Sequence, residues 1–107
     1  MIVVSKHFFR KGYVGLSLWP FIILKDDALK ADGSLINHEK IHLRQQLELF
    51  ILPFYILYLT EWTVRFLRYG DAYKAYQNLS FEREAYHNED NLEYLNTRKP
   101  FRFIKYL

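Results

Sequence analysis

The stretch Asn37-His38-Glu39-Lys40-Ile41-His42 spells His-Glu-x-x-His, and its reading decides how the rest of the 107-residue chain is arranged. On an α-helix, side chains four residues apart stand one above the other on a single face. His38 and His42 therefore offer two imidazole nitrogens to one cation. Glu39 lies about 100° around the helix from His38. That puts it beside the cation rather than on it, where a carboxylate can take a proton from water that a metal has acidified. Asp32-Gly33-Ser34 supplies a turn with Ser34 as an N-cap candidate, and an apolar run of helical character follows the motif. A helix from about Leu35 to Leu52 is expected, with Leu35, Leu43, Leu47, Phe50 and Ile51 as an apolar stripe beside the histidines. Lys40 is compatible with the site where its face meets solvent.

Working outward toward the N-terminus, Asp26–Ala31 reads as one helical turn or a loop. Val14–Trp19 and Phe21–Leu24 read as extended segments, the second an apolar run of strand length. Pro20 interrupts continuous pairing and marks an edge or a bend. An edge strand next to a metal helix can hold an extended peptide through main-chain hydrogen bonds, or can simply cover the helix. Ile2–Val4 is a short strand candidate, and His7–Gly12 a connection containing a turn.

Toward the C-terminus, Pro53 ends or kinks the first helix, and a second helix is expected from Phe54 to about Tyr69. Gly70 suits its C-cap and Asp71 the next N-cap. Ala72–Gln77 reads as a short helix. A longer one is expected from Phe81 to about Asn96, with Ser80 as N-cap and Pro100 as the stop. The tail Phe101–Leu107 reads as a terminal strand or an amphipathic turn. The fold class that follows is α+β: a small N-terminal sheet packed on a helical body, in one domain over residues 1–107.

Composition narrows the chemistry. Half of the residues are hydrophobic and 19% are aromatic, enough for a core and against disorder. The chain has no cysteine, so a metal must be held by His and Asp/Glu. That favours a catalytic over a closed structural site. The net charge of +3 is segregated: residues 71–97 hold six acidic and two basic side chains, and residues 98–107 hold four basic ones. Tail and acidic helix are expected to neutralise each other in part. A basic, aromatic tail also suits anionic lipid. Nucleic acid is not an expected partner, because the basic residues form no extended stripe and no known motif.

Two stretches imitate targeting signals. Lys6–Leu24 has the rough shape of a signal peptide, but Pro20 interrupts it and Lys25-Asp26-Asp27 replaces the small-residue cleavage site. Leu49–Thr60 runs uncharged between Glu48 and Glu61, too short for a span of about 20 residues. It is expected to be buried core, with a membrane-surface contact as the alternative. The chain is expected to be cytoplasmic, with peripheral membrane association through the aromatic helix or basic tail left open.

Catalytic zinc usually takes three protein ligands and a water, and the candidates for the third ligand lie within Ser80–Glu89. Glu82 and Glu84 are two residues apart and point to nearly opposite helix faces, so both cannot face one site. Ala85 and Tyr86 share the face of Glu82, Ala85 being small enough to let two helices approach.

With Phe81-Glu82-Arg83-Glu84-Ala85-Tyr86 following His-Glu-x-x-His, the chain resembles the gluzincins. This group of zinc metallopeptidases includes thermolysin and the membrane-embedded CAAX-prenyl proteases. They pair His-Glu-x-x-His with a glutamate on a later helix, often within Phe-Glu-x-x-Ala-Asp. The resemblance implies a zinc-dependent peptidase of minimal, single-domain size, with His38, His42 and Glu82 as Zn2+ ligands and Glu39 as the catalytic base. The aspartate that supports the ligands in that group falls on Tyr86, which can exchange one hydrogen bond but brings no charge. His87, Tyr73 and Tyr76 are candidate donors to an oxyanion.

Two other readings use the same residues. Glu39-x-x-His42 and Glu84-x-x-His87 are the pairs of a di-iron carboxylate bundle, with Glu48 and Glu61 as the further ligands. Alternatively the domain serves as a non-catalytic metal-binding or interaction module at a membrane surface or a protein partner.

Overall fold

The protein is described here by a computed structural model over residues 2–8 and 13–107, so positions 9–12 of the expected His7–Gly12 connection lie outside the described residues. The architecture is α+β: a three-stranded sheet against a helical body. Strands β1 (Ile2–Val4), β2 (Gly15–Leu18) and β3 (Phe21–Leu24) are ordered β1-β3-β2. β3 runs parallel to β1 and antiparallel to β2, with Leu18 opposite Phe21 across the turn at Trp19-Pro20. The apolar run Phe21–Leu24 takes the central place, and Ile22, Ile23 and Leu24 are buried as a doubly flanked strand requires. β2 is left as an edge, as Pro20 implied.

A 3-10 turn over Asp27–Ala31 leads into α1 (Gly33–Glu48). The helix begins earlier than expected because Asp32, not Ser34, is its N-cap: the Asp32 carboxylate accepts from Leu35 N at 3.1 Å. It also ends earlier. Phe50 and Ile51 take φ of +57° and +68°, a left-handed reversal that no α-helix tolerates. Pro53 then sits in the first turn of α2 (Leu52–Tyr69), where its missing N–H costs nothing. The two helices meet at a bend of 112°. No single helix among the described residues is long and apolar enough to cross a membrane.

The expected apolar stripe on α1 is not its buried face. Leu47 and Phe50 are exposed, and the residues turned inward are Asn37, His38, Glu39, Ile41, His42, Gln45 and Gln46. This buried side of α1 is almost wholly polar, and each polar group is hydrogen-bonded. The expectation that Leu49–Thr60 is buried core also fails: Phe54 alone of α2 is buried. It packs with Phe81 and Phe103, with Leu49, Tyr55 and Tyr58 partly buried around them.

Gly70, at φ +70°, caps α2, and Asp71 caps α3 (Ala72–Gln77) by accepting from Tyr73 N and Lys74 N. α4 (Ser80–Asn88) stops short of the expected Asn96. The Asn37 amide donates to the carbonyls of Asn88, Glu89 and Asn91 at 3.3, 2.8 and 3.0 Å, which satisfies the end of α4 from outside. Helix resumes only for α5 (Tyr94–Thr97). Ser80 is the first residue of α4 rather than its N-cap, which is Leu79 with no side-chain cap bond; the Ser80 N–H and hydroxyl instead both donate to Glu61 of α2, at 2.8 and 2.6 Å. The tail is the turn rather than the strand, a 3-10 turn over Arg102–Tyr106 that seats Phe103 in the aromatic core. Charge neutralisation rests on buried Arg98, which pairs with Glu84 at 2.5 Å and Glu48 at 2.7 Å.

Candidate metal centre

Helix periodicity places His38 and His42 one turn apart on the inner face of α1, and α4 packs across that face. Ala85 is fully buried at the crossing, where a larger side chain would hold the helices apart. Glu82, in the first turn of α4, reaches the histidines. Its Oε1 lies 3.1 Å from His38 Nε2 and its Oε2 3.1 Å from His42 Nε2, and the two Nε2 atoms are 3.2 Å apart. One ligand atom from each residue falls within 4.8 Å of the others, and all three residues are buried. Glu84 points the other way, to Arg98, Tyr94 and Gln45.

Proton accounting explains what this cluster wants. His38 Nδ1 faces Glu89 Oε1 at 3.0 Å, and His42 Nδ1 faces Gln45 Oε1 at 2.8 Å. The Gln45 amide is oriented by donating to Phe81 O and Glu84 Oε1, so its oxygen is what meets the ring. Both partners only accept, so each Nδ1 carries a hydrogen. In the neutral rings both Nε2 lone pairs then point at a carboxylate and at each other. That arrangement repels unless positive charge sits among the three groups; a proton or a metal cation supplies it.

The titration of the groups agrees. Burial alone would lower the pKa of His42, but the charge and hydrogen bond of Glu82, with Glu39 and Gln45, raise it to about 9. Burial would raise Glu82, and the charge of His42 with hydrogen bonds from both histidines instead holds it far below the usual carboxylate range. Tyr58 donates to Glu82 Oε2 at 2.8 Å; burial, then the Glu82 charge, keeps that phenol protonated. Two imidazole nitrogens and one carboxylate, with their outer hydrogen bonds in place, form a donor set that suits Zn2+.

Glu39 is buried beside this cluster and borders two cavities, of about 220 Å³ and about 170 Å³. Gly15, Tyr13 and Tyr76 border both as well. A Cβ on Gly15 would stand 3.1 Å from Glu39 Oε2, so glycine is what lets β2 come this close to the carboxylate. Burial raises the Glu39 pKa, and the charges of His42 and His38 offset part of that. Lys40 is exposed to solvent, on the side of α1 away from the cluster.

Tyr86 does not support a ligand by hydrogen bonding. Its ring stands edge-on to His38 with centroids 4.5 Å apart, and Glu89, three residues further along, orients that histidine. Glu89 and Gln45 are the residues that reading the motif alone missed. Gln45 falls three positions after His42 on the same helix, a spacing that could have flagged it. Of the candidate oxyanion donors, Tyr73 and Tyr76 line the larger cavity, whereas His87 lies against Tyr106. Three of the four carboxylates of a di-iron site are engaged elsewhere, Glu84 and Glu48 with Arg98, Glu61 with Ser80 and Arg65, and only Glu39 stays by the histidines. No protein-family model matches this chain, and no curated protein or solved structure does.

Proposed function

We propose that the chain is a zinc-dependent, gluzincin-type hydrolase acting on peptide bonds. The observation that carries this reading is the convergence of His38 Nε2, His42 Nε2 and the Glu82 carboxylate within 4.8 Å, next to Glu39 where two cavities meet. His38, His42 and Glu82 would hold the ion, with Glu89 and Gln45 fixing the tautomers that leave Nε2 free to ligate. Bound Zn2+ would supply Lewis acidity and lower the pKa of a water to about 7.

Glu39 is the general base. Its carboxylate accepts a proton from the attacking water and returns it to the leaving amine. The raised pKa suits both halves of that task, since a group poised nearer neutrality both takes and gives a proton. An extended peptide substrate would run along β2. Gln46 already holds Ser17 O at 3.0 Å and Trp19 N at 2.8 Å, which leaves the segment around Gly15, lining both cavities, outside that clamp.

A second reading, a non-catalytic metal-binding or interaction module, is favoured by the exposed apolar side of α2. One experiment separates them: zinc content and cleavage of a quenched-fluorescence peptide library, for wild type and Glu39→Gln. The hydrolase reading expects one zinc per chain in both proteins and turnover lowered about 10²–10⁴-fold in the variant. A zinc-loaded wild type without turnover leaves the module reading; a wild type that takes up no zinc overturns the metal site itself.

A further inference from the structure

We propose that the outer face of α2 seats the protein on an anionic lipid bilayer. The helix is divided lengthwise. Its inner side carries Phe54, Tyr58, Glu61, Trp62 and Arg65, each packed into the body or hydrogen-bonded: Tyr58 to Glu82, Trp62 Nε1 to Ala72 O, and Arg65 to Glu61. Its outer side presents Leu52, Ile56, Leu59, Val64 and Leu67 to solvent, Leu67 being 79% exposed. Phe50, in the left-handed turn that precedes the helix, is 84% exposed. Apolar exposure this continuous is unusual on a monomer that meets only water.

The chemistry of the face selects its occupant. The two polar residues among these aliphatic ones are threonines, and both hydroxyls donate back along the helix, Thr60 Oγ1 to Ile56 O at 2.7 Å and Thr63 Oγ1 to Leu59 O at 2.8 Å. The face offers a partner no free donor, only the remaining lone pairs of two hydroxyl oxygens, and so demands little hydrogen bonding, a condition that hydrocarbon meets.

Charge at the rim agrees. Arg68 closes one end of the face. At the other, Arg98 and Phe101 N both bind Glu48, four residues before Leu52, and Phe103 stacks on Phe81 in the cluster that Phe54 joins, so the tail segment bearing Lys99, Arg102 and Lys105 lies by the start of the helix, with Ile104 and Leu107 exposed on it. None of Arg68, Lys99, Arg102 and Lys105 has an ion pair among the described residues. The nearby carboxylates are already engaged, Glu48 by Arg98, Glu61 by Ser80 and Arg65, and Asp71 by the N-terminus of α3. An apolar helix face lying flat with basic residues at its margins is the arrangement of an interfacial membrane helix.

The inference does not rest on the hydrolase reading, and no outcome below bears on zinc. The full chain is floated with vesicles of phosphatidylcholine alone and of phosphatidylcholine with phosphatidylserine in equal parts. Two variants accompany it, Leu59→Glu and the pair Arg102→Glu with Lys105→Glu, each checked for wild-type circular dichroism. Wild type is expected on the mixed vesicles, with binding reduced about tenfold or more in each variant and weakened by salt. No binding to the mixed vesicles overturns the proposal. So does binding to neutral vesicles as strong as to mixed ones, or unchanged binding of Leu59→Glu. A salt-insensitive dimer in sedimentation, abolished by Leu59→Glu, with no vesicle binding, assigns the face to a second copy instead.

Discussion

Gln45 Oε1 stands 2.8 Å from His42 Nδ1, and this single contact decides which nitrogen of the ring is left to bind a metal. The same amide donates to Glu84 Oε1 at 2.9 Å, and Glu84 is held by Arg98. A chain of buried polar groups thus runs from a guanidinium to a ligand nitrogen, and Gln45 is its one neutral link.

Replacing that link tests it. Gln45→Met keeps the volume but removes the acceptor of His42 Nδ1 and a donor to Glu84. Zinc affinity, from competition with a chromophoric chelator, is expected to fall about 10–100-fold. Stability of the metal-free protein in urea is expected to fall by about 1–3 kcal/mol. Unchanged affinity in a folded variant would mean that the tautomer is set by something else.

Glu89 and Tyr86 make opposite predictions. Glu89 is hydrogen-bonded to His38, whereas Tyr86 only packs its ring against it. Glu89→Gln is expected to weaken zinc binding about tenfold, and Tyr86→Phe to change it little. The reverse ranking would restore Tyr86 to the role the motif assigned it.

A metal at this site would compete with protons for the same atoms, so zinc uptake is expected to depend on pH. Burial works to lower the His42 pKa, but Glu82 and then Glu39 raise it from 6.5 to about 9 without metal. Zinc binding would therefore expel a proton at neutral pH, and affinity is expected to climb up to about pH 9. Calorimetry in buffers of different ionisation enthalpy counts that proton. For the metal-free fold the sign is opposite: a folded pKa above the unfolded one gives stability fully present below pH 6.5 and lost as pH rises through 9. Urea midpoints should fall over that window, and zinc should remove the fall. A midpoint that is flat without metal would contradict the charged pair.

Arg98 neutralises two buried carboxylates at once. Arg98→Met leaves Glu84 and Glu48 without their cation, and the expected loss is about 3–5 kcal/mol by chemical denaturation. The double variant with Glu84→Gln should recover part of that loss, because it removes one of the stranded charges.

How much of this was readable in advance varies with the physical signal. The strands and the turn at Pro20 followed from a short β-branched run and a residue that cannot donate. The pair His38 and His42 followed from helix geometry, and Glu82 from a second motif at a distance. The buried face of α1 was not readable: periodicity arguments look for apolar residues inside, and this helix buries Asn37, Gln45 and Gln46 instead. Asn37 and Glu89 act across 51 or more residues of sequence, so no local pattern announces them. The exposure of α2 was hidden for another reason. An apolar helix has the same composition whether protein surrounds it or some other apolar phase does.

The grip of Glu61 on Ser80 has a mechanical side. Two residues beyond Ser80 stands Glu82, which Tyr58 of the same helix also holds. Those two anchors, one turn apart on α2, make the helix a handle on the carboxylate. A roll of α2 about its own axis would pull on Glu82, so whatever clamps the outside of that helix also steadies this carboxylate.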